Sequence, residues 1–205
     1  MLSIEGTDII EGCISMLRVY HRLGVRMVGL VHSLRNLLAD GVADNRTKGG
    51  LSQFGVEVVE ELDKLGMIVD VSHLSDASFW DVLEISKDPV VASHSNARAV
   101  CNHPRNMTDD MIRALADRGG VMGMNFATDF VHPKNPSVET LVDHIVDLVG
   151  SEHVARAAMM RLTRARETGL LMGNVRLMPN RRSITPISSR ALTASGSERK
   201  LKGGA

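Results

Sequence analysis

The sequence predicts an α/β fold with parallel strands, assembled from successive βα units. Three observations lead there. Short apolar runs alternate with amphipathic stretches from the start of the chain to about Gly150, the pattern of strands joined by crossover helices. The runs "VRMVGLVHS", "MIVDVSH" and "PVVASHS" are largely apolar and short enough for buried strands. The amphipathic stretches between them stop at residues suited to helix ends, Gly24 and Gly66 among them.

Taken in order, "MLSI" reads as a strand. Thr7 to Leu23 carries Ile10, Ile14, Leu17 and Val19 at helical spacing, and Gly24 stops it. "VRMVGLVHS" is the second strand, followed by a polar loop from Arg35 to Gly50. Leu51 to Leu65 is the clearest helix, with Phe54, Val58, Leu62 and Leu65 on one side and Gly66 after it. "MIVDVSH" then forms a strand, Asp76 to Ser86 a helix and "PVVASHS" a strand. Thr108 opens the next helix, with Asp109 and Asp110 in the first turn where acidic groups favour the positive end of the dipole. "GGVMGMNF" is the fifth strand and Val138 to Val149 a further helix.

Composition divides the chain. Residues 1–153 hold 13 Lys+Arg against 22 Asp+Glu, whereas 154–205 hold 11 against 2, and all eight histidines and every aromatic residue precede Val154. Residues 154–205 therefore read as a basic tail of different origin, disordered over most of its length, although "RAAMMRLTRARETGLLMG" has the composition of a basic helix. No sixth strand is evident after the last helix. Cys13 and Cys101 are far apart and form no CxxC pattern, which argues against a disulfide framework or a cysteine metal site. No apolar run reaches the roughly 18 to 20 residues of a membrane span, and the first residues lack the features of a signal peptide. A cytoplasmic location is the expectation.

Parallel βα folds gather their chemistry at the carboxyl ends of the strands. There this sequence places Glu5, His32, His73 and His94, one after each of four consecutive strands. A histidine at one strand end is more often structural than functional. Four acidic or imidazole groups at the same point of successive units are harder to assign to separate structural roles, and they are the donors zinc accepts. His21 and His144, within helices, read as surface residues. His103, His132 and His153 show no comparable pattern.

Three segments, "IEG" at 4–6, "LGVRMVGLVHSLRNLLADG" at 23–41 and the long block from Gly50 to Phe126, closely resemble the membrane (renal-type) dipeptidase family. The resemblance covers about residues 1–153. It implies a partial TIM-like (β/α) barrel of the amidohydrolase-like type, without the first and last strands of the family, and a zinc-dependent hydrolysis of dipeptides. It also implies roles. Glu5 matches the carboxylate that bridges two zinc ions, and His73 and His94 match imidazoles of one metal site. His32 matches a histidine that contacts substrate and steadies the oxyanion; Arg105, in "HPRN", matches the arginine that holds the substrate carboxylate.

Within 1–205 the resemblance finds no His-x-Asp pair for the other metal, and "ARAAMMRLTRARE" stands where the family carries an acid that handles the catalytic proton. Ala127 replaces a frequent aromatic. The expectation is weak or absent activity and at most one tightly bound zinc. A homodimer is compatible with the resemblance. The alternative is a non-catalytic barrel fragment whose basic tail binds an acidic partner or nucleic acid; nucleic acid is disfavoured because the tail lacks aromatic residues for base stacking.

Overall fold

The computed structural model describes residues 1–150, 159–162 and 173–176. Five strands lie side by side in chain order: β1 (Leu2–Glu5), β2 (Val25–Gly29), β3 (Ile68–Asp70), β4 (Val91–Ala92) and β5 (Val121–Gly123). All four neighbouring pairs are parallel. The partial-barrel expectation is met over these strands.

Register sets the height at which each strand ends. Glu5 pairs with Gly29, Gly29 with Asp70, and Asp70 with Val91, so these four residues form one row across the sheet. His32, His73 and His94 each stand three residues beyond that row.

The helices follow the local rules that the sequence states. Helix α2 (Gln53–Leu65) is capped by Ser52, whose side chain accepts from the Gly55 amide, and ends at Gly66 with φ 64°. Helices α3 (Asp76–Ile85) and α4 (Asp109–Asp117) are capped in the same way by Ser75 and Thr108. Each cap supplies an acceptor to an amide that the helix leaves unpaired. The short α5 (Thr128–Val131) and the longer α6 (Val138–Gly150) follow β5. Val28, Leu30, Val58, Leu62, Phe79, Val82, Leu115 and Met122 form the centre of the core, between the sheet and α2 to α4.

Two expectations change. The single helix over Thr7 to Leu23 is broken: a 3-10 turn covers Asp8–Ile10, and α1 covers only Met16–Arg22. Glu11 and Gly12 both take left-handed backbone angles, φ 48° and 71°, which no helix tolerates. Apolar spacing across such a break keeps the right face without keeping the helix.

The second change lies beyond α6. Met159–Leu162 (β6) and Gly173–Arg176 (β7) are strands, where the sequence suggested a basic helix and no sixth strand. β7 pairs antiparallel with β5 and β6 pairs antiparallel with β7. An edge such as that of β5 exposes unpaired amides and carbonyls, and an antiparallel ribbon satisfies them as a parallel strand would. The rest of the basic tail lies outside the described residues. No helix among the described residues is long and apolar enough to cross a membrane.

Gly55 shows how closely α2 meets the loop before it. A Cβ at that position would stand 2.2 Å from the Leu38 carbonyl oxygen, which already accepts from the Ser52 amide at 2.7 Å. Helix propensity favours Ala over Gly by about 1 kcal/mol. The backbone collision reverses that sign, so Gly55→Ala is expected to lower stability by about 1–3 kcal/mol in urea unfolding; a gain in stability would show that the loop yields.

Candidate metal and substrate site

The common register brings the strand ends to one cleft. Glu5, His32, Ser33, His73, His94, His103, Arg105, Asn125 and Phe130 line it, with a volume of about 610 Å³. Of the residues singled out in the sequence, Glu5, His32, His73, His94 and Arg105 all stand here.

Three atoms converge at its floor. Glu5 Oε1 lies 2.8 Å from His73 Nε2 and 3.1 Å from His94 Nε2, and the two imidazole nitrogens are 2.9 Å apart. The hydrogen bonds around them show what these atoms carry. A guanidinium can only donate, so the 3.2 Å approach of Arg105 Nη2 to His73 Nε2 favours a lone pair there and the proton on Nδ1, 3.0 Å from Ser33 Oγ, against the pull of the Glu5 carboxylate on the same nitrogen. On His94, Nδ1 faces Ser93 Oγ at 2.7 Å, and the Ser93 hydroxyl donates to Asp70 Oδ2. That hydroxyl has only lone pairs left for the imidazole, so His94 Nε2 is also bare. Three acceptors therefore face one another.

Protonation could relieve this only in part. Burial, the Arg105 charge and the neighbouring imidazoles push the His73 imidazole down to about 3. Burial and Arg105 also lower His94, with Asp70 and Glu5 opposing them. A single proton shared by His94 Nε2 and Glu5 Oε1 would leave His73 Nε2 with only its 3.2 Å contact to Arg105. A cation satisfies all three. Two imidazoles and a carboxylate suit a divalent transition metal, and the 2.8–3.1 Å separations are slightly below the ~3.3 Å between donors on a tetrahedral zinc. Glu5, His32 and His73 also offer ligand atoms that all lie within 4.8 Å of one another. His32 stands at the rim, exposed, its ring 4.5 Å from that of His73.

Arg105 is buried under the cleft wall. It donates to Ser72 O and His94 O as well as to His73, and lies 5.6 Å from the Phe130 ring centre. Burial brings its guanidinium down to about 10, with Glu5 and Asp70 opposing the shift. It therefore stays charged near neutral pH. Its segment, 96–107, is tied down on both sides. Arg98 makes a two-point ion pair with Asp76 at 2.8 Å, and this pair holds the Asp76 carboxyl below its usual range.

The model of the membrane dipeptidase family, peptidase family M19, matches residues 1–159 of this sequence. The chain belongs to the membrane dipeptidase family. Among relatives, an uncharacterized dipeptidase of Schizosaccharomyces pombe is 40% identical over 151 residues, covering 72% of this chain and 37% of the relative. The dipeptidase verJ of Clonostachys rogersoniana is 39% identical over 158 residues, covering 75% and 41%. A metallo peptidase from Rhodobacter sphaeroides, solved with a phosphinate mimic of the dipeptide L-Ala-D-Ala, superposes with a TM-score of 0.69 at 31% identity, over 73% of this chain and 46% of that one. The chain thus spans about two-fifths of the length of these curated dipeptidases.

Several contributors to this dipeptidase-family cleft were not legible in the sequence. His103 and Phe130 stack 4.4 Å apart on the wall, and His103 Nδ1 accepts from the Arg105 amide at 3.1 Å. His144, read as a surface residue, is fully buried. Its Nδ1 accepts from Ala97 N at 3.2 Å and its Nε2 faces Val131 O at 2.8 Å, joining α6 to the segment of Arg105. Its i−3 and i+1 neighbours, Leu141 and Ile145, are the only hint of that inward face.

The buried neutral state of His73 has a consequence for acid stability. An unfolded histidine titrates near 6.5, whereas the folded group does so at about 3. As pH falls through that interval the unfolded chain binds a proton that the folded one refuses, so stability is full above about 6.5 and declines toward 3. In chelator-treated protein, His73→Gln is expected to flatten the loss of urea stability between about pH 7 and 4.5; an unchanged slope would contradict the assignment.

Proposed function

We propose that this chain carries a zinc site and a carboxylate-binding arginine that together serve the hydrolysis of dipeptides. The observation that supports this most is the meeting of Glu5 Oε1, His73 Nε2 and His94 Nε2 within 3.1 Å, all as acceptors. Zinc is the ion we assign, because imidazole nitrogen with one carboxylate is its usual donor set, whereas magnesium and calcium favour oxygen alone. Bound there, it would supply Lewis-acid polarisation of a carbonyl and a water acidified toward neutral pH.

Arg105 and His32 would hold the substrate. Arg105 donates to Ser72 O and His94 O; with His73 Nε2 turned over to the metal, three of a guanidinium's five N–H groups are left for a ligand. A terminal carboxylate is the group such a buried cation would select. His32, exposed at the rim over His73, is in position to donate a hydrogen bond to a carbonyl oxygen as charge develops on it. The dipeptide mimic held by the Rhodobacter sphaeroides relative and the cleft of about 610 Å³ support a small substrate with a free carboxylate.

Zinc reconstitution followed by hydrolysis of alanyl dipeptides tests the proposal. His94→Ala is expected to remove the bound zinc and about 4 kcal/mol of transition-state stabilisation, roughly 10³-fold in kcat/KM. Arg105→Met is expected to weaken hydrolysis of a dipeptide far more than that of its C-terminal amide. Equal losses on both substrates would remove the carboxylate role, and zinc binding unaffected by His94→Ala would remove the metal site.

A further inference from the structure

We propose that Asp70 is a positioning residue for His94, acting through the Ser93 hydroxyl to keep the proton on Nδ1 and the Nε2 lone pair aimed at the metal. The role in metal binding rests on the zinc-site reading above; the tautomer does not.

Asp70 ends β3 and is buried. Its Oδ1 accepts from Ser72 N at 3.0 Å, Ser72 Oγ at 2.7 Å and Ser93 N at 3.0 Å, and its Oδ2 accepts from Ser93 Oγ. No salt bridge joins it to a cation among the described residues. A carboxylate offers only lone pairs, so both serine hydroxyl protons are committed to it. The 3.2 Å contact between the two hydroxyl oxygens then carries no proton. Ser93 Oγ can meet His94 Nδ1 only as an acceptor.

The same cluster fixes the backbone. Ser72 Oγ accepts from His94 N at 3.0 Å, and Ser93 N reaches back to Asp70. β4 has only two residues and shares a single register pair with β3. The Asp70 side chain therefore supplies cross-strand bonds where the backbone ladder has run out. His73 reaches the same tautomer by another route: its Nδ1 also meets a serine, Ser33, but Arg105 at Nε2 settles the proton. Asp70 thus does for one imidazole what the arginine does for the other. Carboxylates that orient a metal-bound histidine are general devices; here the device reaches the ring through a hydroxyl.

Asp70→Asn separates charge and proton pattern from shape. An amide in place of Oδ2 donates to Ser93 Oγ, which frees that hydroxyl to donate to His94 Nδ1 and sends the ring proton to Nε2. In the full chain, zinc affinity measured against a competing chelator is expected to fall about 10–100-fold. Nitrogen-15 spectra of the metal-free protein are expected to show His94 passing from Nδ1–H to Nε2–H. Ser93→Ala should also weaken zinc, and Ser93→Thr, which keeps the hydroxyl, should restore it; a loss of packing alone would not follow that order. If Asp70→Asn does not fold, the Ser93 pair decides. Zinc affinity within about twofold of wild type in both Asp70→Asn and Ser93→Ala, or a wild-type His94 carrying Nε2–H, overturns the proposal. Wild-type protein that binds no zinc while His94 keeps Nδ1–H overturns the metal reading and leaves the tautomer assignment standing.

Discussion

Parallel strands in common register are the constraint on which the rest of this molecule depends. Because Glu5, Gly29, Asp70 and Val91 occupy one row, three residues of further chain carry His32, His73 and His94 to the same height. A slip of one residue in any strand would turn its side chains to the other face. The apolar residues that face the core, Val28, Val69 and Ala92 among them, hold that register. The hydrophobic effect thus sets the geometry of a polar site without touching it.

Polar groups packed this closely are costly unless each has a partner. Around the cleft the partners are supplied in sequence: Asp70 accepts from the serine hydroxyls, Ser93 Oγ accepts from His94 Nδ1, and Arg105 caps His73 while donating to two carbonyls. The lone pairs of Glu5 Oε1 and His94 Nε2 are left over, and His73 Nε2, held by a 3.2 Å contact to Arg105, faces the same place. The arrangement is pre-organised toward positive charge, and this is the physical content of the zinc proposal.

The cleft walls come from segments without regular structure, and their placement depends on a few tethers. Arg98 grips Asp76, Asn106 reaches Phe130 O, and buried His144 joins α6 to Ala97. Asn96 and Asn125 exchange hydrogen bonds through side chain and backbone. Loops that carry function are generally positioned by a rigid scaffold in this way. Here one tether is an ion pair, and the others are side-chain amides and an imidazole.

The sequence alone determined the parallel βα order, the helix start at Thr108, and the placement of one carboxylate and three imidazoles after successive strands, because these are set by local periodicity and chain direction. It also carried the family resemblance, and with it Arg105. It did not determine the break at Glu11 and Gly12, since left-handed backbone angles leave the apolar spacing intact. Nor did it show that His144 faces inward, that Asp70 stands behind His94, or that the chain after α6 returns antiparallel to β5. Those depend on contacts between residues far apart in the chain, and only the folded structure decides which polar group meets which.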